Sequence, residues 1–212
     1  MDINVNNRRH FILGLGATTV AATIMASFPV AAKKEKKEVV EVVLDVPKFG
    51  PSNIPNAPLW THEGKEIKFY DDVVNNKILL INMMYADCMD SCPLTTSNLM
   101  QVQRLIAKKM QGIPIQMCSI TLRPEEDTVT HLSHYVKQHH IPPGWLFLTG
   151  KPEMIKLVRY SMGFYDPDPA LDGLSTSHTG MLRVGNNRLS RWSMAPALAK
   201  PDQILKLIEQ VT

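Results

Sequence analysis

Along most of the chain, unbroken apolar runs of strand length alternate with segments whose apolar residues fall three or four apart. The run "KILLINMMYA" (77–86) is apolar almost throughout, the pattern of a central strand covered on both faces. From Pro93 onward Leu99, Val102, Leu105, Ile106 and Met110 keep helical spacing until Gly112 stops it. Pro93 falls in the first turn of that helix, where a missing N–H costs nothing. The pair then recurs: "IPIQMCSIT" reads as a strand, 124–139 as a helix, "GWLFLTG" as a strand and 152–162 as a helix. Ahead of them, "LWTHEGKEIKFY" has two short runs around Glu63 and Gly64, an N-terminal β-hairpin. Behind them, "TGMLRVGNNRLSRWSM" is an antiparallel hairpin turning at Gly185, Asn186 and Asn187, followed by a last helix over 201–211. This order predicts an α/β fold with a mixed central sheet flanked by helices.

The first 57 residues stand outside the pattern. Residues 1–32 combine Arg8 and Arg9, an apolar stretch over 11–28 and small residues at Val30 and Ala32, the layout of an export signal. "NRRHFIL" resembles a twin-arginine signal, an address read by a receptor. An ordinary secretory signal, or a retained membrane anchor through 11–28, are the alternatives. Residues 33–57 read as a charged tether, "KKEKKE", and an extended proline-rich segment, and 58–212 as the folded domain. Export places that domain in the periplasm or on the outer face of the cytoplasmic membrane. At 44% hydrophobic and 20% charged residues the chain has the composition of one globular core. Its net charge of +3 is scattered, without the basic patch that nucleic-acid binding needs.

The chemistry concentrates in "ADCMDSCPLTT" (86–96), which holds two of the three cysteines. Cys92 stands at the start of the first helix, where unpaired N–H groups and the helix dipole favour a thiolate. Cys88 lies four residues earlier, so the two sulfurs can approach on one side of a turn. Such an activated dithiol is expected to be exposed at the strand-to-helix junction. A structural disulfide here would close only a short loop and stabilise the fold little. A redox dithiol of the thioredoxin kind usually has two residues between its cysteines, not three. It also presents a proline opposite them, and no proline lies between Pro169 and Pro196. On a thioredoxin-like fold that place goes to His178, in "STSHTGMLRV". Two thiolates and one imidazole suit copper, Cu(I) in particular, whereas structural zinc prefers a fourth ligand.

"NMMYADCMDSCP", "ITLRPEEDT" and "SHTGMLRVGNN", in this order and at these separations, resemble the Sco/SenC family of thioredoxin-fold copper proteins over about 59–208. The resemblance implies a thioredoxin-like fold and one copper ion, Cu(I) or Cu(II), bound by Cys88, Cys92 and His178. It implies a metallochaperone that delivers copper to, or assists assembly of, a respiratory copper enzyme such as cytochrome c oxidase. The alternative it allows is a thiol:disulfide oxidoreductase, using Cys88 and Cys92, that reduces the cysteines of a client copper site. The chain departs from the family pattern at Ser177 and Arg123, where aspartates are usual, and at Met89, where a proline is common; Asp90 matches. A peroxidase of the peroxiredoxin type would need a threonine before its cysteine, which "MMYADC" lacks.

Other residues have plainer expectations. Cys118, inside an apolar strand, reads as core. His131, His134, His139 and His140 read as a solvated helix face and a helix end whose dipole they complement. Among twelve methionines, Met100, Met110, Met117 and Met154 fall on packing positions, while Met84 and Met89 lie nearer the dithiol as conceivable weak axial donors. Trp145 and Trp192 read as core or rim aromatics. "YDPDPALDGLSTS" (165–177), with Asp166, Asp168 and Asp172, reads as a flexible acidic loop that shapes access to the site.

Overall fold

The computed structural model describes residues 53–87, 91–174 and 180–212. Among these, seven strands form one sheet: β1 (Pro58–Thr61), β2 (Glu66–Lys68), β3 (Ile78–Met84), β4 (Ile115–Thr121), β5 (Trp145–Thr149), β6 (Met181–Asn186) and β7 (Arg191–Pro196), in the order β2-β1-β5-β4-β3-β6-β7. The β3–β4 and β4–β5 pairs are parallel, and the others antiparallel, so the sheet is mixed as its sequence pattern requires.

All seven residues of β3 are buried. Ile78, Leu80 and Met84 belong to a core shared with helices α1 (Ser91–Lys109), α2 (Val129–Gln138) and α5 (Pro201–Val211). Leu79, Ile81 and Met83 belong to a second core, with a π-helical turn at Phe69–Val74 and with α3 (Pro152–Ser161). Ile54 and Ala57 already pack into that second core ahead of β1. On the α1 face a buried polar line crosses three strands. Trp145 Nε1 donates to Ser119 Oγ at 3.0 Å, and Ser119 Oγ donates to Asn82 Oδ1 at 2.7 Å. Trp145 is thus a core residue whose one polar atom is satisfied.

Three boundaries differ from the sequence reading. Helix α1 starts at Ser91, ahead of Pro93. Helix α2 starts at Val129 and not at Pro124, because residues 123–127 form a turn in which the Arg123 carbonyl accepts from the N–H groups of Glu126 and Asp127 (3.0 and 2.8 Å). Thr128 then caps the helix, its hydroxyl accepting from the His131 N–H at 3.3 Å. In the last hairpin, Gly185 and Asn186 belong to β6, and the turn is made by Asn187–Leu189 and by Ser190 at φ 51°. The reason is Trp192, directly across from Gly185: a Cβ on Gly185 would lie 2.0 Å from the indole Cε3. Asn186 donates to the Val211 carbonyl at 3.0 Å, tying the strand end to α5.

Gly185→Ala must therefore displace the Trp192 ring, and is expected to destabilise the domain by about 1–3 kcal/mol. Urea unfolding would show this as a lower midpoint at unchanged slope.

Candidate functional site

Strand β3 runs parallel to β4 and antiparallel to β6, with Asn82 opposite Leu182. The carboxyl end of β3 therefore lies beside the start of β6, at the edge of the sheet where open α/β folds carry their sites. Residues 88–90 leave from the first of these ends and residues 175–179 lead into the second. Cys88, Met89, Asp90, Ser177 and His178 lie outside the described residues. Among the described residues, no cluster of three or more histidine, cysteine, aspartate or glutamate side chains could hold a metal ion.

Cys92, the second residue of α1, is 3% exposed and belongs to the same core as Met84, Tyr85 and Leu99. For Cys92 this corrects the expectation of an exposed thiol; Cys88 lies outside the described residues. Because the helix begins at Ser91, Cys92 already lies on its inward stripe, continued by Thr95, Thr96, Leu99 and Val102. Thr96 Oγ and the Tyr135 hydroxyl share a hydrogen bond of 2.8 Å. The Thr95 hydroxyl, 2% exposed, has no hydrogen-bond partner. Asn98 donates to the carbonyls of Ala197 and Ala199, both at 2.9 Å, and the Ala197 N–H donates to the Gly180 carbonyl at 2.9 Å. The first turns of α1 are thereby tied to the residue that precedes β6.

The opposite side of the β3 end is built on a carboxylate. Asp127, 2% exposed, accepts from the Ala86 N–H with both oxygens (3.2 and 3.1 Å) and from the Thr121 hydroxyl at 2.5 Å. Its burial pushes its pKa up, against the pull of these hydrogen bonds and of His131. The His131 ring lies between acceptors: Nδ1 is 3.1 Å from the Glu126 carbonyl and 3.7 Å from Asp127 Oδ1, and Nε2 is 3.4 Å from Asp87 Oδ1. The Glu126 carbonyl, above all, holds the His131 pKa above its ordinary value, and Asp87 and Asp127 add to it. His131 is thus a partly exposed residue held between acceptors beside the end of β3, a contact the sequence reading missed. Its signal was the four-residue spacing from Asp127. His139 packs on Tyr135, ring centroids 4.3 Å apart, and burial lowers its pKa, so it does not serve as a cation at the helix end. Arg123 stands 4.1 Å over the ring of Tyr85.

Over its described residues, 165–174, the acidic loop is built, not loose. Its short helix α4 (Pro169–Asp172) is capped by Asp168, and Asp172 pairs with both guanidinium nitrogens of Arg159 at 2.8 and 2.7 Å. Asp172 also accepts from the Tyr160 hydroxyl and the Asp166 N–H. Arg159 holds the Asp172 carboxyl far below the usual range, so that carboxylate is committed to structure and not to a cation. A groove of about 690 Å³ lies beside the loop, lined by Leu122, Pro124, Ile155, Tyr160 and Tyr165 among others. Cys118 is a buried thiol of the α3-side core, across the sheet from Cys92, and burial pushes its pKa up to about 12. Met84 is 2% exposed, a packing residue.

A family model described as SCO1/SenC matches residues 58–212. The cattle mitochondrial SCO2 homologue is 36% identical over 87 residues, which are 41% of this chain and 32% of that protein's length. The chain thus matches about a third of that relative. Copper-bound ScoI of Bradyrhizobium japonicum has a TM-score of 0.55 at 22% identity, covering 74% of this chain and 97% of that one. BsSco, described by a disulfide switch and as one of the Sco family of cytochrome c oxidase assembly proteins, has a TM-score of 0.59 at 16% identity, covering 74% and 92%. These likenesses establish the thioredoxin-like fold.

Two outcomes follow from the geometry. Thr95→Val, which replaces an unpartnered hydroxyl by a methyl group, is expected to leave the metal-free protein as stable or to raise its stability by about 1 kcal/mol, measured as a thermal midpoint. A carboxyl with a depressed pKa stabilises fully above its unfolded value near 4, and that contribution is lost as pH falls toward the folded value. The stability gap between the native protein and Asp172→Asn should therefore be constant from pH 7 to about 5 and shrink below about 4.

Proposed function

The chain belongs to the SCO1/SenC family, known for copper binding and cytochrome c oxidase assembly, and on that premise we propose that it is a copper metallochaperone. Its domain binds one copper ion through Cys88, Cys92 and His178 and passes it to a client copper protein, such as a respiratory oxidase subunit. The observation that carries this reading is Cys92, buried in the first turn of α1 beside the adjoining ends of β3 and β6. A thiol withdrawn from water, one turn from an unpartnered hydroxyl, suits retention of a soft ion. That a solved structure of the same fold, ScoI of Bradyrhizobium japonicum, holds copper supports copper as the ion.

A thiol:disulfide oxidoreductase is the second reading, favoured by the disulfide switch described for BsSco. Exchange requires a sulfur that a substrate can reach, and the burial of Cys92 weighs against it in that role. The domain acts after export, in the periplasm or on the outer face of the cytoplasmic membrane. Among the described residues no helix is long and apolar enough to cross a membrane; the anchor candidate, 11–28, lies outside them.

Purified protein should take up one equivalent of Cu(I), as measured by competition with a chelator. Cys88→Ser, Cys92→Ser and His178→Ala should each weaken uptake by more than the roughly 10–100-fold that loss of an outer-shell partner costs. Unchanged stoichiometry and affinity in all three would refute the assignment, and function that survives His178→Ala would favour the oxidoreductase.

A further inference from the structure

The groove of about 690 Å³ opens where β4 and β5 end, on the α3 side of the sheet. Its walls are Leu122 and Pro124 from the β4–α2 connection, Pro152 and Ile155 from α3, and the described part of the acidic loop. Open α/β sheets carry their ligand sites at this edge, and pockets of about 300–1,000 Å³ are usual for them. The outer strands, β2 and β7, contribute nothing to the lining, so a guest does not bind here by adding a strand to the sheet. The groove offers rings instead. Tyr160 and Tyr165, 41% and 53% exposed, stack with centroids 5.7 Å apart and an interplanar angle of 8°. Pro124, Pro152, Pro167 and Pro169 lie along the same lining. An aromatic-lined groove of this kind takes up an extended polyproline II segment, which arrives already ordered.

Charge narrows the choice of guest. Arg159 and Asp172 neutralise each other at 2.7 Å, and Lys156 stands 5.8 Å over the Tyr160 ring. Glu125 and Asp166 join none of the ion pairs among the described residues. Among those residues, too, no cation stands over Tyr165. On a chain of net charge +3 the groove is an acidic spot, with three carboxylates against two cations in its lining. An open tyrosine face with carboxylates on the same lining fits a lysine or arginine side chain. We propose that this groove is a docking site for a partner protein, engaged through an extended, proline-containing segment that bears a lysine or arginine. None of the lining residues is a proposed copper ligand, so the docking site and the copper assignment stand or fall separately.

The test uses the full-length, metal-free protein and synthetic peptides of one proline-rich sequence with arginine, glutamine or glutamate at the centre. Amide NMR shifts locate binding, and fluorescence anisotropy of the labelled peptides measures it. The arginine peptide should move amides at 122–125, 155–160 and 165–173. It should bind about 3- to 10-fold tighter than the glutamine peptide, with the glutamate peptide weakest. Tyr165→Leu should weaken the arginine peptide about 3- to 10-fold, whereas Tyr165→Phe, which keeps the ring, should bind as the native protein does. Glu125→Gln should reduce both the preference for arginine and its dependence on salt. Should Tyr165→Leu lower the thermal midpoint, Glu125→Gln and the peptide series decide alone. Equal affinity for all the peptides, or shifts confined to another surface, overturns the docking site. So does binding that emerges only when residues 33–52 are deleted, which makes the chain's own tether the guest. A dimer that Tyr165→Leu dissociates makes the guest a second copy and overturns it as well.

Discussion

Strand β3 is buried on both faces, and the rest of the molecule takes its register from that fact. Each of its seven side chains enters one of two cores, except that Asn82 joins the polar line beneath α1. A slip of one residue would exchange the faces and drive Asn82 among Phe69, Val73 and Ile155. The ladder to β6 is therefore fixed, and with it the meeting of the two chain ends at which the candidate ligands are proposed. Chemistry at the edge inherits its placement from packing in the middle.

What happens beyond Met84 is decided by polar groups instead. Asp127 is a costly residue to bury, and the Ala86 N–H and Thr121 hydroxyl offset that cost. In doing so they take Asp127 out of the helix it would otherwise begin. Thr128 becomes the cap, α2 starts later, and His131 comes around onto the side of the acid. One buried carboxylate thus ends a strand, delays a helix and brings an imidazole to the loop ahead of Cys88.

Strands β3, β4 and β5 were legible because two-sided burial leaves continuous apolar runs, and α3 and α5 because a proline marks each start. The last turn was not legible. Gly185 and Asn186 have turn chemistry locally, but Trp192 needs the space over a glycine inside the strand. The burial of Cys92 was hidden by Thr95 and Thr96, polar letters on an inward stripe. His131 was hidden because its partner Asp87 is remote in sequence, and helical spacing alone gave it a solvent face. Cys88 and His178 were named from donor chemistry and family resemblance, not from any local periodicity.

Cys92, the one described member of the three proposed ligands, bears on the kind of chemistry the site can serve. Cys92 is carried by a helix whose first turns are fixed to α2 through Thr96 and to the loop after β7 through Asn98. The residue before Cys88 is carried by a partly exposed ion pair. A sulfur packed like that of Cys92 serves disulfide exchange poorly, since it is withdrawn from a substrate's reach.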